Sequence, residues 1–171
     1  MADQNLFLMI SGLAGKSRLL DFLGIFSAEY LGYVLIAGFL IFVFSLTNFK
    51  ERFRLLSFVL LSLIVSRGIL TELIRFFYHR PRPFMVLEIT PLITEADKGA
   101  FPSGHAAFYF ALALSLLFFN RKLGWYFIGA SILMGISRVF VGVHWPLDIV
   151  GGIVVALISV YSVNLLLSKI K

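Results

Sequence analysis

Apolar stretches about as long as a bilayer is thick recur along this chain, separated by short polar breaks, and this repeat leaves few folds open. A membrane-spanning helix takes roughly 20 mostly apolar residues, so 171 residues hold about five or six spans and little else. The bulk composition agrees: 60% of residues are hydrophobic, 14% are charged and the mean hydropathy is +0.95, beyond the range of a water-soluble domain. The sequence therefore predicts an all-α, polytopic transmembrane helix bundle, a single integral membrane domain over residues 1–171.

Other function classes fall away on composition. With no cysteine, there is no disulfide framework, no thiolate nucleophile and no cysteine-ligated metal. The net charge of +6 would suit nucleic acid only if the cations formed one soluble face, and here they are scattered between hydrophobic runs. Anionic lipid headgroups and a few phosphate-binding arginines account for them better, so the expected partners are the bilayer and a membrane lipid, with no nucleic acid. Met1-Ala-Asp-Gln-Asn has no basic n-region and no small-residue cleavage site follows it, so no removable signal peptide is expected.

Five spans are expected. Leu6 to Leu13 is too short to cross and reads as an interfacial helix or packed cap ending near Gly15-Lys16. The first span runs from about Glu29 to Leu46, with Leu19 to Phe26 as an amphipathic approach. The second covers Leu55 to Phe77, the third Ser103 to Asn120, the fourth Leu123 to Val141 and the fifth Pro146 to Leu167. Small residues in the third span, among them Ala106, Ala107, Ala111 and Ala113, permit close helix approach. Between the second and third spans lies the longest loop, Tyr78 to Phe101, whose apolar residues Phe84 to Leu87 and Ile89 to Leu92 are expected to dip into the headgroups.

Five spans place that loop, the Gly142 to Trp145 turn and the N-terminus on one side of the membrane. The other side carries Lys50, Arg52, Arg54, Arg121, Lys122, Lys169 and Lys171 in short connections, the positive-inside pattern of a cytoplasmic face. Lys16, Arg18, Arg80 and Lys98 remain on the first side, which is expected to face outward from the cell (cytoplasmic or inner) membrane. Trp125, Tyr126 and Trp145 suit the interfacial aromatic belts.

Charged residues at membrane depth are costly, so clusters of them at span ends mark a site. Three clusters fall on one face. The first is Arg75 to Pro83, the second Pro102-Ser103-Gly104-His105, and the third Ser137-Arg138 followed by His144-Trp145-Pro146-Leu147-Asp148. Arg75, Arg82 and Arg138 offer planar forks for phosphate oxygens. Ser103 and Gly104 open a helix, where free N–H groups and the dipole favour an anion and glycine permits close approach. His144 and Asp148 are four apart around Pro146, so the carboxylate can fix the tautomer of an imidazole that attacks phosphorus, while His105 protonates the leaving oxygen. Arg67 and Glu72, inside the second span, read as an intramembrane pairing that includes Arg75.

These clusters resemble the tripartite signature of the type 2 phosphatidic acid phosphatase superfamily of membrane lipid phosphatases. Its parts are a lysine, six residues and Arg-Pro; then Pro-Ser-Gly-His; then Ser-Arg, five residues, His, three residues and Asp. The second and third parts match at every position, whereas Arg75 stands where the family has lysine, which keeps the charge and changes the reach. The resemblance implies a phosphohistidine at His144, oriented by Asp148, and general acid–base work by His105. It further implies phosphate binding by Arg75, Arg82, Ser103, Gly104 and Arg138, with no metal and no cofactor. The small size is most similar to the bacterial undecaprenyl-diphosphate phosphatases, which makes undecaprenyl diphosphate the first-choice substrate, cleaved to the monophosphate at the outer face. Lipid A phosphatases and phosphatidylglycerophosphate phosphatases share the signature. Two readings of other classes are a vanadate-dependent haloperoxidase-like oxidoreductase, since those enzymes resemble the anion cradle, and a non-catalytic lipid-headgroup-binding membrane protein.

Overall fold

The computed structural model describes residues 2–96 and 99–169; Lys98 and Lys171, used in the side assignment above, lie outside the described residues. Seven helices are present and, among those residues, no strand: α1 (Ala2–Ser11), α2 (Arg18–Ser45), α3 (Phe49–Phe77), α4 (Pro83–Val86), α5 (Gly104–Leu117), α6 (Arg121–Phe140) and α7 (Pro146–Ser168). The long helices begin where the sequence supplies a stop for free N–H groups. Asn48 accepts from the Lys50 N–H at 3.0 Å, Asn120 from the Leu123 N–H at 2.9 Å, and Pro146 occupies the first turn of α7.

Helices α2, α3, α6 and α7 are long and apolar enough to cross a membrane. Helix α5, with 14 residues, spans about 21 Å, less than the roughly 30 Å hydrocarbon core. It forms the axis of the bundle, running from the site end to the opposite end. Ala106, Ala107, Ala111, Ala113 and Leu116 are all buried, and a Cβ added to Gly152 of α7 would lie 2.6 Å from the Ala106 Cβ, so small residues set this crossing as expected. Around this axis the outer faces stay apolar and open, with Ile41, Phe44 and Phe76 at 72%, 70% and 82% exposure, as lipid contact requires.

Several boundaries differ from expectation. The first span starts at Arg18 rather than near Glu29, and the second at Phe49 rather than Leu55, because a charged residue at the membrane rim does not interrupt backbone hydrogen bonding. Each of these two helices contains a π turn, at Phe26–Tyr30 and Ile64–Leu70. Helix α1 is a packed cap: Phe7 is fully buried, with its ring 5.0 Å from that of Trp145. Trp145 is consequently no belt residue but a buried one at 6% exposure, its indole N–H donating to the Pro81 carbonyl at 3.0 Å; Trp125 and Tyr126 are exposed. Leu87, Ile89, Leu92 and Ile93 of the long loop pack onto the bundle, leaving Met85 and Val86 exposed.

Candidate active site

The start of α7 fixes the first pair of groups. Asp148 sits at the third helical position, where Oδ2 accepts the Trp145 N–H at 2.8 Å and lies 3.3 Å from His144 Nδ1. One carboxylate oxygen thus caps the helix and orients the imidazole. The other, Oδ1, accepts from Arg80 Nη1 at 2.8 Å. Arg80 also donates from Nη2 to Asp3 at 2.5 Å and lies 5.2 Å above the Trp145 ring, while Asp3 accepts the Leu147 N–H at 2.9 Å. Burial works against the Arg80 charge, but its bonds to Asp3 and Asp148 outweigh it and raise its pKa above the ordinary value. His144 is 1% exposed, and burial, then Arg138 and Arg82, hold its pKa well below the ordinary histidine value. Burial thus favours the neutral imidazole, in which a proton on Nδ1 facing the carboxylate leaves the Nε2 lone pair available.

The start of α5 is joined to the start of α7, since the Ser103 N–H donates to the Asp148 carbonyl at 2.9 Å. Its hydroxyl accepts the Ala106 N–H at 3.4 Å, which is helix capping. Gly104 and His105 line a cavity of about 330 Å³ that His144 also lines.

Arg67, Arg75 and Arg82 line this cavity together with Glu95, which also holds Arg138 behind it. Arg138 pairs with Glu95 and approaches the Ala28 carbonyl in the first π turn at 3.5 Å. Arg82 lies 3.5 Å from the same Glu95 and donates to the Val143 carbonyl at 3.0 Å. Arg75 donates to the Pro102 carbonyl at 3.0 Å and lies 3.7 Å from Glu72, which also pairs with Arg67. Buried Nε atoms of Arg75, Arg82 and Arg138 have no hydrogen-bond partner among the described residues, and the same holds for Arg52 at the opposite end of the bundle. Although burial opposes the Glu95 charge, Arg138 and then Arg82 hold its pKa below the usual carboxylate value.

The fold thus gathers His105, His144, Asp148, Arg75, Arg82, Gly104 and Arg138 from segments as far apart as the second and fifth spans. Ser103 is adjacent, yet fully buried with its hydroxyl turned to the helix cap. The Arg67, Glu72 and Arg75 pairing occurs as expected, but Arg67 also lines the cavity, which sequence reasoning missed. Glu95, Arg80 and Asp3 were missed as well. An excess of buried arginines requires counter-anions, which was a signal that carboxylates must come from somewhere; it did not say from where.

Comparison with known proteins bears on the family and the fold. The family described as the PAP2 superfamily matches residues 55–170. The undecaprenyl-diphosphatase BcrC of Bacillus subtilis (strain 168) is 34% identical over 156 residues, covering 91% of this chain and 79% of that protein. The lipid A 4'-phosphatase of Porphyromonas gingivalis is 33% identical over 164 residues, covering 91% of this chain and 69% of its own. Among solved structures, Aquifex aeolicus LpxE shares the fold at a TM-score of 0.78 and 23% identity, over 96% of this chain and 95% of that one.

Proposed function

The chain belongs to the PAP2 superfamily and is a membrane-embedded lipid phosphate hydrolase, and from that premise we propose that it removes the terminal phosphate of a lipid diphosphate, undecaprenyl diphosphate first among them, leaving the monophosphate. The observation that carries this reading is the buried His144, 3.3 Å from Asp148, on the wall of an arginine-lined cavity that His105 also lines.

On this reading the terminal phosphate is seated by Arg75, Arg82 and Arg138, whose forks match its oxygens and stabilise the charge of the transition state. The Gly104 N–H at the start of α5 adds a backbone donor and the positive end of the helix dipole. His144 Nε2 attacks phosphorus as the bond to the bridging oxygen breaks, and His105 gives that oxygen its proton. The lipid monophosphate leaves. His105 then takes a proton from water, whose oxygen attacks the phosphohistidine, releasing orthophosphate and restoring His144. Asp148 stabilises the imidazolium formed on the way.

The active site is proposed to face outward from the cytoplasmic membrane, as the exposed Lys50, Arg54, Arg121, Lys122 and Lys169 belong to the opposite end. Purified protein in detergent is expected to release phosphate from undecaprenyl diphosphate, to keep doing so in excess chelator, and to trap labelled phosphate in an acid-labile form on the wild type. His144→Ala is expected to abolish both release and trapping. Normal release from that variant would overturn the mechanism.

A further inference from the structure

The arginine that lines the cavity without a part in the chemistry above is Arg67. It sits inside α3, eight residues before Arg75, which places it about 12 Å deeper along the span. An arginine there needs a reason. Its partner Glu72 is five positions along, a spacing that an α-helix points to different faces and that the π turn over Ile64–Leu70, closing from i to i+5, brings together.

The π turn is fastened in place. The Thr71 hydroxyl donates to the Ser66 carbonyl at 2.8 Å, and the Ser66 hydroxyl donates to the Ala107 carbonyl of α5 at 2.9 Å, with both side chains fully buried. This ties Arg67 to the helix that bears His105. A Cβ added to Gly104 would lie 2.7 Å from Arg67 Nε and 3.2 Å from Cζ, so the guanidinium lies directly on the backbone preceding His105. Glycine at this position makes room for an arginine as well as an anion.

Within the cavity Arg67 shares the deeper wall with Phe108 and Tyr109, one turn into α5 from His105, whereas Arg82 and His144 come from the loop end. The volume of about 330 Å³ equals roughly ten water molecules at ~30 Å³ each, room for more than one phosphate. The cavity therefore has room for a second phosphate within reach of Arg67.

We infer that Arg67 selects lipid diphosphates, by holding the phosphate that remains on the lipid while the terminal phosphate is transferred to His144. This rests on the phosphatase reading above and deepens it. In that step the bond between the terminal phosphorus and the bridging oxygen breaks, and the electron pair passes to the bridging oxygen of the departing lipid phosphate, where His105 supplies the proton. Negative charge grows on the group beside Arg67. A lipid monophosphate has no second phosphate and leaves nothing for Arg67 to hold.

The test compares a prenyl diphosphate with the prenyl monophosphate of the same chain length, in detergent, for wild type, Arg67→Gln and the double variant Arg67→Gln/Glu72→Gln. Arg67→Gln leaves Glu72 beside Arg75 at 3.7 Å, and the double variant shows what that carboxylate contributes. Both variants are expected to lose about 100-fold in kcat/KM on the diphosphate, as for one transition-state donor, while the monophosphate changes by less than about threefold. Inhibition by inorganic diphosphate should weaken about tenfold more than inhibition by orthophosphate, which decides the matter for an enzyme with little monophosphate activity. Equal losses on both substrates and both inhibitors, or no loss on any, would overturn the role of Arg67. A wild type that releases phosphate from neither lipid, or a His144→Ala variant that remains active, would instead overturn the phosphatase reading beneath it.

Discussion

The two polar ends of this bundle both carry cations and put them to opposite uses. At the site end Arg82 and Arg138 are each 2% exposed and share Glu95, and Arg80 is bonded to both Asp3 and Asp148. At the other end Lys50, Arg54, Arg121, Lys122 and Lys169 are exposed. The larger cavity, about 750 Å³, lies at that second end, lined by Lys50, Arg54, Phe118 and Asn164, and it contains no histidine. Volume and positive charge do not locate the chemistry. What distinguishes the site end is that its cations are desolvated and fixed by protein carboxylates, so their donors are aimed before a substrate arrives, whereas the exposed cations answer to water and headgroups.

If that difference is right, its largest consequence falls on the carboxylate behind the nucleophile. Asp148→Asn should lower kcat by on the order of 10³-fold with phosphate affinity nearly intact, because the amide no longer fixes the His144 tautomer or stabilises its cation. A loss confined to KM would break the comparison. Arg138→Lys keeps the charge but not the fork, and phosphate release should fall about 100-fold.

Next comes Arg80, which touches no substrate on this reading and acts through Asp148. Arg80→Gln should reduce kcat about tenfold and lower the melting temperature in detergent, since it leaves Asp148 and Asp3 without their shared partner. Acid should also act selectively on this end. His144 has a folded-state pKa below its unfolded one, so the unfolded chain binds more protons between the two values, and stability falls as pH drops below about 6.5. The depressed Glu95 adds stability above its unfolded value of 4.5, which is lost at lower pH, so both groups work in the same direction. Thermal unfolding at pH 7.5, 5.5 and 4.5 should show falling stability, by up to about 1.4 kcal/mol per pH unit for one such group. A melting temperature that rises toward acid would show that neither group governs stability in this range. The smallest effect belongs to the far end: Lys122→Gln should change activity less than about twofold and stability by within about 0.5 kcal/mol.

How much was legible follows the range of the interactions involved. His144 and Asp148 meet because four positions around Pro146 make one helical turn, and Ser103, Gly104 and His105 open α5 because a serine cap precedes an apolar run; both are local, and both were readable. The start of α2 lies earlier than Glu29 because the amphipathic approach over Leu19 to Phe26 is continuous with the span, while Asp21 accepts the Gly15 N–H at 2.9 Å. Trp145 was assigned to the interface because an indole suits headgroups, yet a phenylalanine from α1 covers it.

The sequence by itself determined that this chain lives in a bilayer as a helix bundle, and which histidines and arginines collect at its polar turns, because hydropathy and short spacings act within a few residues. Only the tertiary structure decided which acids balance those arginines. Asp3 reaches Arg80 across 77 positions, Glu95 reaches Arg138 across 43, and Arg67 meets Gly104 only through a π turn and two serine and threonine hydrogen bonds. A buried charge takes whatever partner the packed fold brings within a few ångströms, and no periodicity in the chain records that choice.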